Sequence, residues 1–183
     1  MRGLICIDYT YDFIASDGAL TTDGYGQSIE HKLAQRIEDA FIAGDYVVFA
    51  VDYHELNDPY HPETKLFPPH NIVGSKGRNL YGQVQTVYDT WKNSDQCYWL
   101  DKRRYSAFSG TDLDQRLRER GITHLILTGV CTDICVLHTA IDAYQLGYQI
   151  TIPESCVASF NPNGHQWALT HFQSVLGATI LFE

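Results

Sequence analysis

The chain has 183 residues, 44% of them hydrophobic, and a formal net charge of −9 at pH 7. This length suits one domain with a sizeable core, which we place at residues 1–183. The acidic balance, and the absence of any stretch that clusters Lys and Arg with aromatic residues, argue against a nucleic-acid partner. Asp8 interrupts the short apolar run at the start, which argues against a signal peptide or a membrane span and favours the cytoplasm.

Along the chain, apolar runs alternate with amphipathic stretches, a pattern typical of βαβ units with helices on both faces of a parallel sheet. Strands are predicted at residues 3–8, 46–52, 97–101, 124–130, 149–153 and 179–182. Helices are predicted at about residues 28–43, 112–120, 133–146 and 165–176. The predicted fold is therefore a Rossmann-like three-layer α/β/α arrangement with a six-stranded, mostly parallel sheet.

An insertion at about residues 53–91 follows the second predicted strand and is rich in turn-forming residues. Asp52, His54, His61, Glu63 and His70 fall within nineteen residues at its start. Imidazole with carboxylate suits a borderline divalent ion such as zinc, iron or manganese, and residues two apart on a strand point the same way. Each histidine alone would fit a polar loop residue, but the group together predicts a metal site.

Two of the five cysteines lie in the segment GVCTDICVLHTA at residues 129–140, where a predicted strand turns into a predicted helix. Cys135 would fall in the first helical turn, whose free amides and dipole should depress its thiol pKa, so it is the candidate nucleophile. Thr132 is the expected N-cap. Cys131 would precede the helix, where its backbone amide could bind an oxyanion. The other three fit small buried hydrophobes, and an odd count argues against a secreted disulfide framework.

Asp8 and Lys102 lie at the ends of other predicted strands. The carboxyl ends of parallel strands face one crevice, so both side chains should lie near Cys135. There Asp8 could take the thiol proton, and Lys102 could stabilise the resulting charges. Without the cysteine, the same two residues would fit an ordinary ion pair.

Five strings, in this order along essentially the whole chain, resemble the isochorismatase-like cysteine hydrolases, and among them the nicotinamidases: DYTYDF, DYH, FPPH, WLDKRRYSAF and GVCTDICVLHTA. The resemblance implies a catalytic triad of Asp8, Lys102 and Cys135, and metal ligands Asp52, His54, Glu63 and His70. It also implies a cis peptide between Val130 and Cys131 that turns the amides of Cys131 and Cys135 toward the substrate oxygen. For the loop ligand, HPETKLFPPH resembles the glutamate-bearing subgroup, so Glu63 is preferred and His61 is the alternative.

The activity that the resemblance implies is hydrolysis of nicotinamide to nicotinate and ammonia through a cysteine thioester. A divalent ion, expected to be zinc with iron or manganese as alternatives, would orient the pyridine ring, and a water near it would complete the hydrolysis. Phe13, Phe67 and Tyr105 lie beside proposed site residues and are candidates for flat walls around the ring.

Three other functions fit the same residues: a hydrolase of a different small amide, a non-catalytic metal-binding or ligand-binding module, and a metallohydrolase that does not use cysteine. Acidic charge and exposed helices are compatible with a homo-oligomer.

Overall fold

One parallel sheet organises the protein in the computed structural model, which describes residues 1–182; Glu183, the last residue of the predicted domain, lies outside the described residues. The strands are β1 (Gly3–Ile7), β2 (Tyr46–Asp52), β3 (Cys97–Lys102), β4 (His124–Val130), β5 (Gln149–Pro153), β6 (Val157–Ala158) and β7 (Thr179–Leu181). Their order is β3-β2-β1-β4-β5-β7, with β6 beside β4, and the six strand pairs are all parallel. The predicted fold class is confirmed, with the two-residue β6 as an additional strand.

Helices flank the sheet on both sides. The α-helices are α1 (Tyr11–Ile14), α2 (Asp23–Ser28), α3 (Glu30–Ile42), α4 (Gly82–Trp91), α5 (Leu113–Glu119), α6 (Leu137–Gln145) and α7 (Pro162–Ser174). Shorter turns are the 3₁₀ segments Pro62–Lys65, Lys76–Arg78 and Glu154–Cys156, and the π-helical turn Thr132–Val136. Within the described residues, no helix combines the length and apolar character needed to cross a membrane.

Side chains along the central strands point alternately to the two faces of the sheet, so a separate hydrophobic core forms on each face. In β1, Ile5 and Ile7 face one core with α5, α6 and α7, whereas Leu4 and Cys6 face the other with α1, α3 and α4. Strand β1 is buried along its whole length, as expected for a strand covered on both faces. Each core lies between the sheet and one layer of helices, which gives the three layers of the predicted α/β/α arrangement.

Three helices were not predicted, and two predicted helices begin elsewhere. Helices α1 and α2 follow β1 directly, and α4 occupies the last part of the insertion that was read as loop. Helix α7 begins three residues earlier than predicted, because Asn161 caps it by accepting the Gly164 N–H and Pro162 fits its first turn. The predicted helix at 133–146 divides into the π-helical turn and α6.

Candidate active site

Four of the residues predicted as metal ligands converge at the carboxyl edge of the sheet. Asp52, His54, Glu63 and His70 are buried, and one potential ligand atom from each lies within 4.8 Å of the others. The Glu63 carboxylate lies between the two imidazoles, with its oxygens 3.7 Å from His54 Nε2 and 3.6 Å from His70 Nε2. His61 lies outside this group.

The backbone orients both imidazoles of this cluster. His54 extends the edge of β2 through a parallel bridge to Ile72, and its Nδ1 lies 3.0 Å from the His70 carbonyl oxygen. His70 Nδ1 lies 2.8 Å from the carbonyl oxygen of Pro68. A carbonyl can only accept, so each Nδ1 carries a proton, and in the neutral form of each ring Nε2 is the nitrogen that presents a lone pair to the cluster.

The donor atoms that face the cluster fit a divalent cation. His54 Nε2, His70 Nε2 and Asp52 Oδ2 are buried and have no hydrogen-bond partner within the described residues. Unpaired buried polar atoms are costly, and two imidazoles with two carboxylates form a donor set suited to zinc, iron or manganese. Burial opposes ionisation of Glu63, but His54 and His70 lower the pKa of its carboxyl well below its ordinary value. Glu63 therefore remains an anion, the form in which a carboxyl group binds a metal.

A second group, next to the first, joins Asp8, Lys102 and Cys135. Lys102 is completely buried, with Nζ 2.7 Å from Asp8 Oδ2 and 3.8 Å from Cys135 Sγ. The same Nζ donates to Asp52 and, at 3.2 Å, to the Arg104 carbonyl. Lys102 therefore connects the predicted catalytic residues to the predicted metal ligands through Asp52.

Asp8 is held by the neighbouring strand. It follows β1 with a left-handed φ of 54°, a conformation that few non-glycine residues adopt, and its backbone N–H donates to Ala50 O at 2.9 Å. Its Oδ1 accepts the Asp52 N–H at 2.9 Å, which leaves Oδ2 for Lys102. Burial and the nearby Asp52 raise the pKa of Asp8 to about 6, although Lys102 opposes the shift. A carboxylate with this pKa can take a proton and return it near neutral pH.

The expected depression of the Cys135 pKa is wrong. Burial raises the pKa of the Cys135 thiol well above its ordinary value; Lys102 opposes this, and Asp8 adds to it. Cys135 lies inside the π-helical turn Thr132–Val136, which directly precedes α6, and burial of its side chain outweighs the expected effect of the helix dipole. The cysteine is therefore expected to rest as a thiol, and attack by its sulfur would require a neighbouring base.

The turn that carries Cys135 begins at the cis peptide between Val130 and Cys131. Thr132 was predicted as the N-cap, but Cys131 occupies that position without a side-chain cap, and the Thr132 hydroxyl lies 2.8 Å from His165 Nδ1. Asp133 Oδ1 accepts the Ser159 hydroxyl at 2.6 Å. Two side-chain contacts thus attach the turn to the start of α7 and the segment before it.

An apolar pocket with about 460 Å³ of empty space, part of it open to solvent, reaches the Cys135 side chain. All three predicted ring-binding residues, Phe13, Phe67 and Tyr105, line it. Its complete lining is Phe13, Leu20, Asp52, Glu63, Phe67, Tyr105, Cys131, Ile134, Cys135 and Phe160. The sequence analysis missed Leu20, Ile134 and Phe160; of these, Phe160 follows the carboxyl end of β6 and is 51% exposed. The pocket places apolar walls beside both polar groups.

The loop that carries His70 is supported by α1. Asp12 accepts the Asn71 N–H at 2.8 Å and the Ala19 N–H at 3.3 Å. A Cβ atom on Gly77 would overlap the Asp12 carboxylate, so only glycine leaves room for this contact. The Phe13 ring lies 5.3 Å from the His70 ring, which brings the pocket wall against the cluster.

Comparison with known proteins agrees with this geometry. Residues 2–182 match the isochorismatase domain. The chain belongs to the isochorismatase family. The predicted family resemblance is therefore confirmed over almost the entire sequence.

Solved structures of this family superpose closely on the chain. Nicotinamidase/pyrazinamidase PncA from Bacillus subtilis is 52% identical, with a TM-score of 0.98 over 100% of both chains. Pyrazinamidase/nicotinamidase from Streptococcus mutans UA159 is 57% identical, with a TM-score of 0.97 over 99% of this chain and 100% of that one. Pyrazinamidase of Pyrococcus horikoshii in complex with zinc is 26% identical, with a TM-score of 0.86 over 99% of each chain.

Proposed function

We propose that this protein is a nicotinamidase, a cysteine amidohydrolase that converts nicotinamide to nicotinate and ammonia within one domain. The observation that carries the proposal is the contact of Lys102 with both Asp8 and Asp52, beside Cys135. It joins a thiol, a base and a metal-ligand cluster at the base of one apolar pocket. The names of the Bacillus subtilis and Streptococcus mutans structures support the same substrate class.

The reaction begins at the Cys135 thiol. Asp8 takes the proton from Sγ as the sulfur attacks the carboxamide carbon, and Lys102 stabilises the charges that form. The backbone amides of Cys131 and Cys135 would donate to the resulting oxyanion; losing one such donor typically costs about 3 kcal/mol. Asp8 then protonates the leaving nitrogen, the C–N bond breaks, and ammonia departs. The acyl group remains on Cys135 as a thioester.

Hydrolysis returns the enzyme to its starting state. Asp8 takes a proton from a water that attacks the thioester carbon, nicotinate is released, and Cys135 recovers its proton. Asp52, His54, Glu63 and His70 would hold zinc, the metal named with the Pyrococcus horikoshii structure. Such an ion supplies a Lewis-acid contact for the pyridine nitrogen and so orients the ring. Phe13, Phe67 and Tyr105 would enclose the ring.

The test is ammonia release from nicotinamide by zinc-loaded wild-type protein and by Cys135→Ala at equal metal content. We expect turnover in the wild type and a loss of at least about a thousandfold in the variant, because Cys135 is the pocket thiol that lies beside Lys102 and Asp8. Turnover that survives Cys135→Ala would favour a metallohydrolase. A metal-loaded wild type inactive on nicotinamide would contradict the proposed substrate.

Two further measurements complete the test. Pyrazinamide should also be hydrolysed, since it offers the same carboxamide on a flat ring with a nitrogen in the same place, and the related structures carry that activity in their names. Loading apoprotein with zinc, iron or manganese in parallel identifies the metal that restores turnover. Cytoplasmic location and assembly into a homo-oligomer stay predictions from the sequence.

A further inference from the structure

His61 is a buried histidine in the loop that carries Glu63 and His70, but it is not part of the candidate ligand cluster. Only 4% of its surface is exposed, and its ring centre lies 4.5 Å from that of His54. Its Nδ1 lies 3.3 Å from the Glu63 backbone nitrogen, and its Nε2 lies 2.8 Å from the Arg103 carbonyl oxygen. Both ring nitrogens therefore have partners.

The chemistry of these partners fixes the protonation state of His61. A backbone N–H can only donate, so Nδ1 must offer its lone pair to Glu63; a carbonyl can only accept, so Nε2 must carry the proton. The ring is then a neutral imidazole whose one ring lone pair is already used. To become a metal ligand, His61 would have to give up one of these two hydrogen bonds.

Glu63 needs such support because of where it lies. It is the second residue of the four-residue turn Pro62–Lys65, which belongs to neither the sheet nor a long helix. His61 is the N-cap of that turn, and its hydrogen bond also connects the turn to Arg103, which directly follows Lys102, the last residue of β3. One imidazole thus joins the turn that carries Glu63 to the strand that carries Lys102.

We propose that His61 is a positioning residue: it holds the Glu63 carboxylate where it can bind the metal ion, and it does not bind the ion itself. The proposal rests on the metal site of the proposed function. Groups that orient ligands in this way typically contribute 10-fold to 100-fold to metal affinity. His61 therefore controls how tightly the site holds its ion and leaves the set of coordinating atoms unchanged.

Arg103 provides a matched control within the same contact. Its side chain binds Asp58 at 2.8 Å and reaches Glu55 at 3.7 Å, but it is 44% exposed, so these ion pairs contribute little. Arg103→Ala removes both ion pairs and keeps the carbonyl that accepts from His61. If the ion pairs of Arg103 were the main contacts that hold the loop with Glu63, Arg103→Ala would weaken metal binding more than His61→Ala. If the hydrogen bonds of His61 hold the loop, His61→Ala will weaken metal binding more.

The experiment measures zinc affinity by competition with a chromophoric chelator, and the visible absorption spectrum of the cobalt-loaded protein at saturation. His61→Ala should bind zinc 10-fold to 100-fold more weakly than wild type, and Arg103→Ala less than about fivefold more weakly. At saturating cobalt, the band positions and intensities of His61→Ala should match those of wild type, because the coordinating atoms are the same. His61→Gln, whose amide can still donate toward the Arg103 carbonyl, should recover part of the affinity.

Each contrary result is decisive. Wild-type zinc affinity in His61→Ala, or a changed cobalt spectrum at saturation, would overturn the proposal. Should His61→Ala not fold, His61→Phe takes its place: the phenyl ring fills similar space but can make neither hydrogen bond, so wild-type affinity in that variant would equally overturn the proposal. A wild type that binds no divalent ion would instead refute the metal site of the proposed function.

Discussion

Replacing Lys102 with methionine removes the cation that three buried side chains share. The variant leaves Asp8 and Asp52, 0% and 1% exposed, facing each other without a positive charge. Removing one partner from a buried ion pair costs about 3–5 kcal/mol, because the remaining charge stays out of water. The protein can escape by protonating Asp8, whose pKa is already about 6. At pH 8 that escape costs about 3 kcal/mol, at 1.36 kcal/mol per pH unit, so the loss of unfolding free energy should be near 3 kcal/mol.

The assay is urea unfolding at pH 8 and pH 6 with a metal chelator present. Lys92→Met is the control, because Lys92 pairs with Asp89 on an exposed helix surface and should change the unfolding free energy by less than about 0.5 kcal/mol. The folded-state pKa of Asp8 is raised above its ordinary value, so the penalty in Lys102→Met grows as the pH rises through about 6 and shrinks below it. A Lys102→Met variant that loses less than about 1 kcal/mol at pH 8 would refute the reasoning.

Three further changes test other parts of the site. Gly77→Ala should push the Asp12 carboxylate away from the loop that carries His70, a candidate metal ligand, and weaken zinc binding in chelator competition; unchanged affinity would contradict this support. Phe160→Ala removes an aromatic contact worth about 0.5–1.5 kcal/mol at the pocket mouth, so steady-state kinetics should show KM raised about threefold to tenfold with kcat kept, and a fall in kcat alone would contradict that role. Burial lowers the pKa of His165, so its contribution to the unfolding free energy should become less favourable as the pH drops below 6.5; His165→Gln, whose amide can still bond to Thr132, should therefore gain stability relative to wild type over that range, and parallel pH profiles would count against it.

Residues at strand ends were the most predictable part of the site. Asp8, Asp52 and Lys102 follow apolar strand patterns, and parallel strands bring their carboxyl ends to one edge whatever the intervening loops do. Phe160 also follows a strand, but β6 has only two residues and gives no periodic signal, so this pocket residue was missed.

The local conformation around Cys135 was less predictable. A strand followed by apolar residues at helical spacing predicts an α-helix, and the sequence alone gives no signal for the π-helical turn that replaces its first residues. That turn buries the thiol, which reverses the expected direction of its pKa shift. The pairing of Thr132 with His165 crosses 33 residues, and its geometry depends on the tertiary packing of α7.

The formal charges of the buried groups explain why a thiol with a raised pKa can work here. Asp8, Asp52 and Glu63 contribute three negative charges at 0–5% exposure, and Lys102 contributes one positive charge, which leaves a sum of −2 beside a neutral Cys135. A divalent cation held by neutral imidazoles and two of these carboxylates would bring the sum to zero and so avoid uncompensated buried charge. A resting thiolate would disturb that balance by one unit. In the proposed reaction, moving the thiol proton to Asp8 during attack would keep the total unchanged, because the charge would pass from the carboxylate to the sulfur and then to the substrate oxygen. The high pKa of Cys135 is therefore consistent with a nucleophile that is activated only when an amide carbon lies next to it.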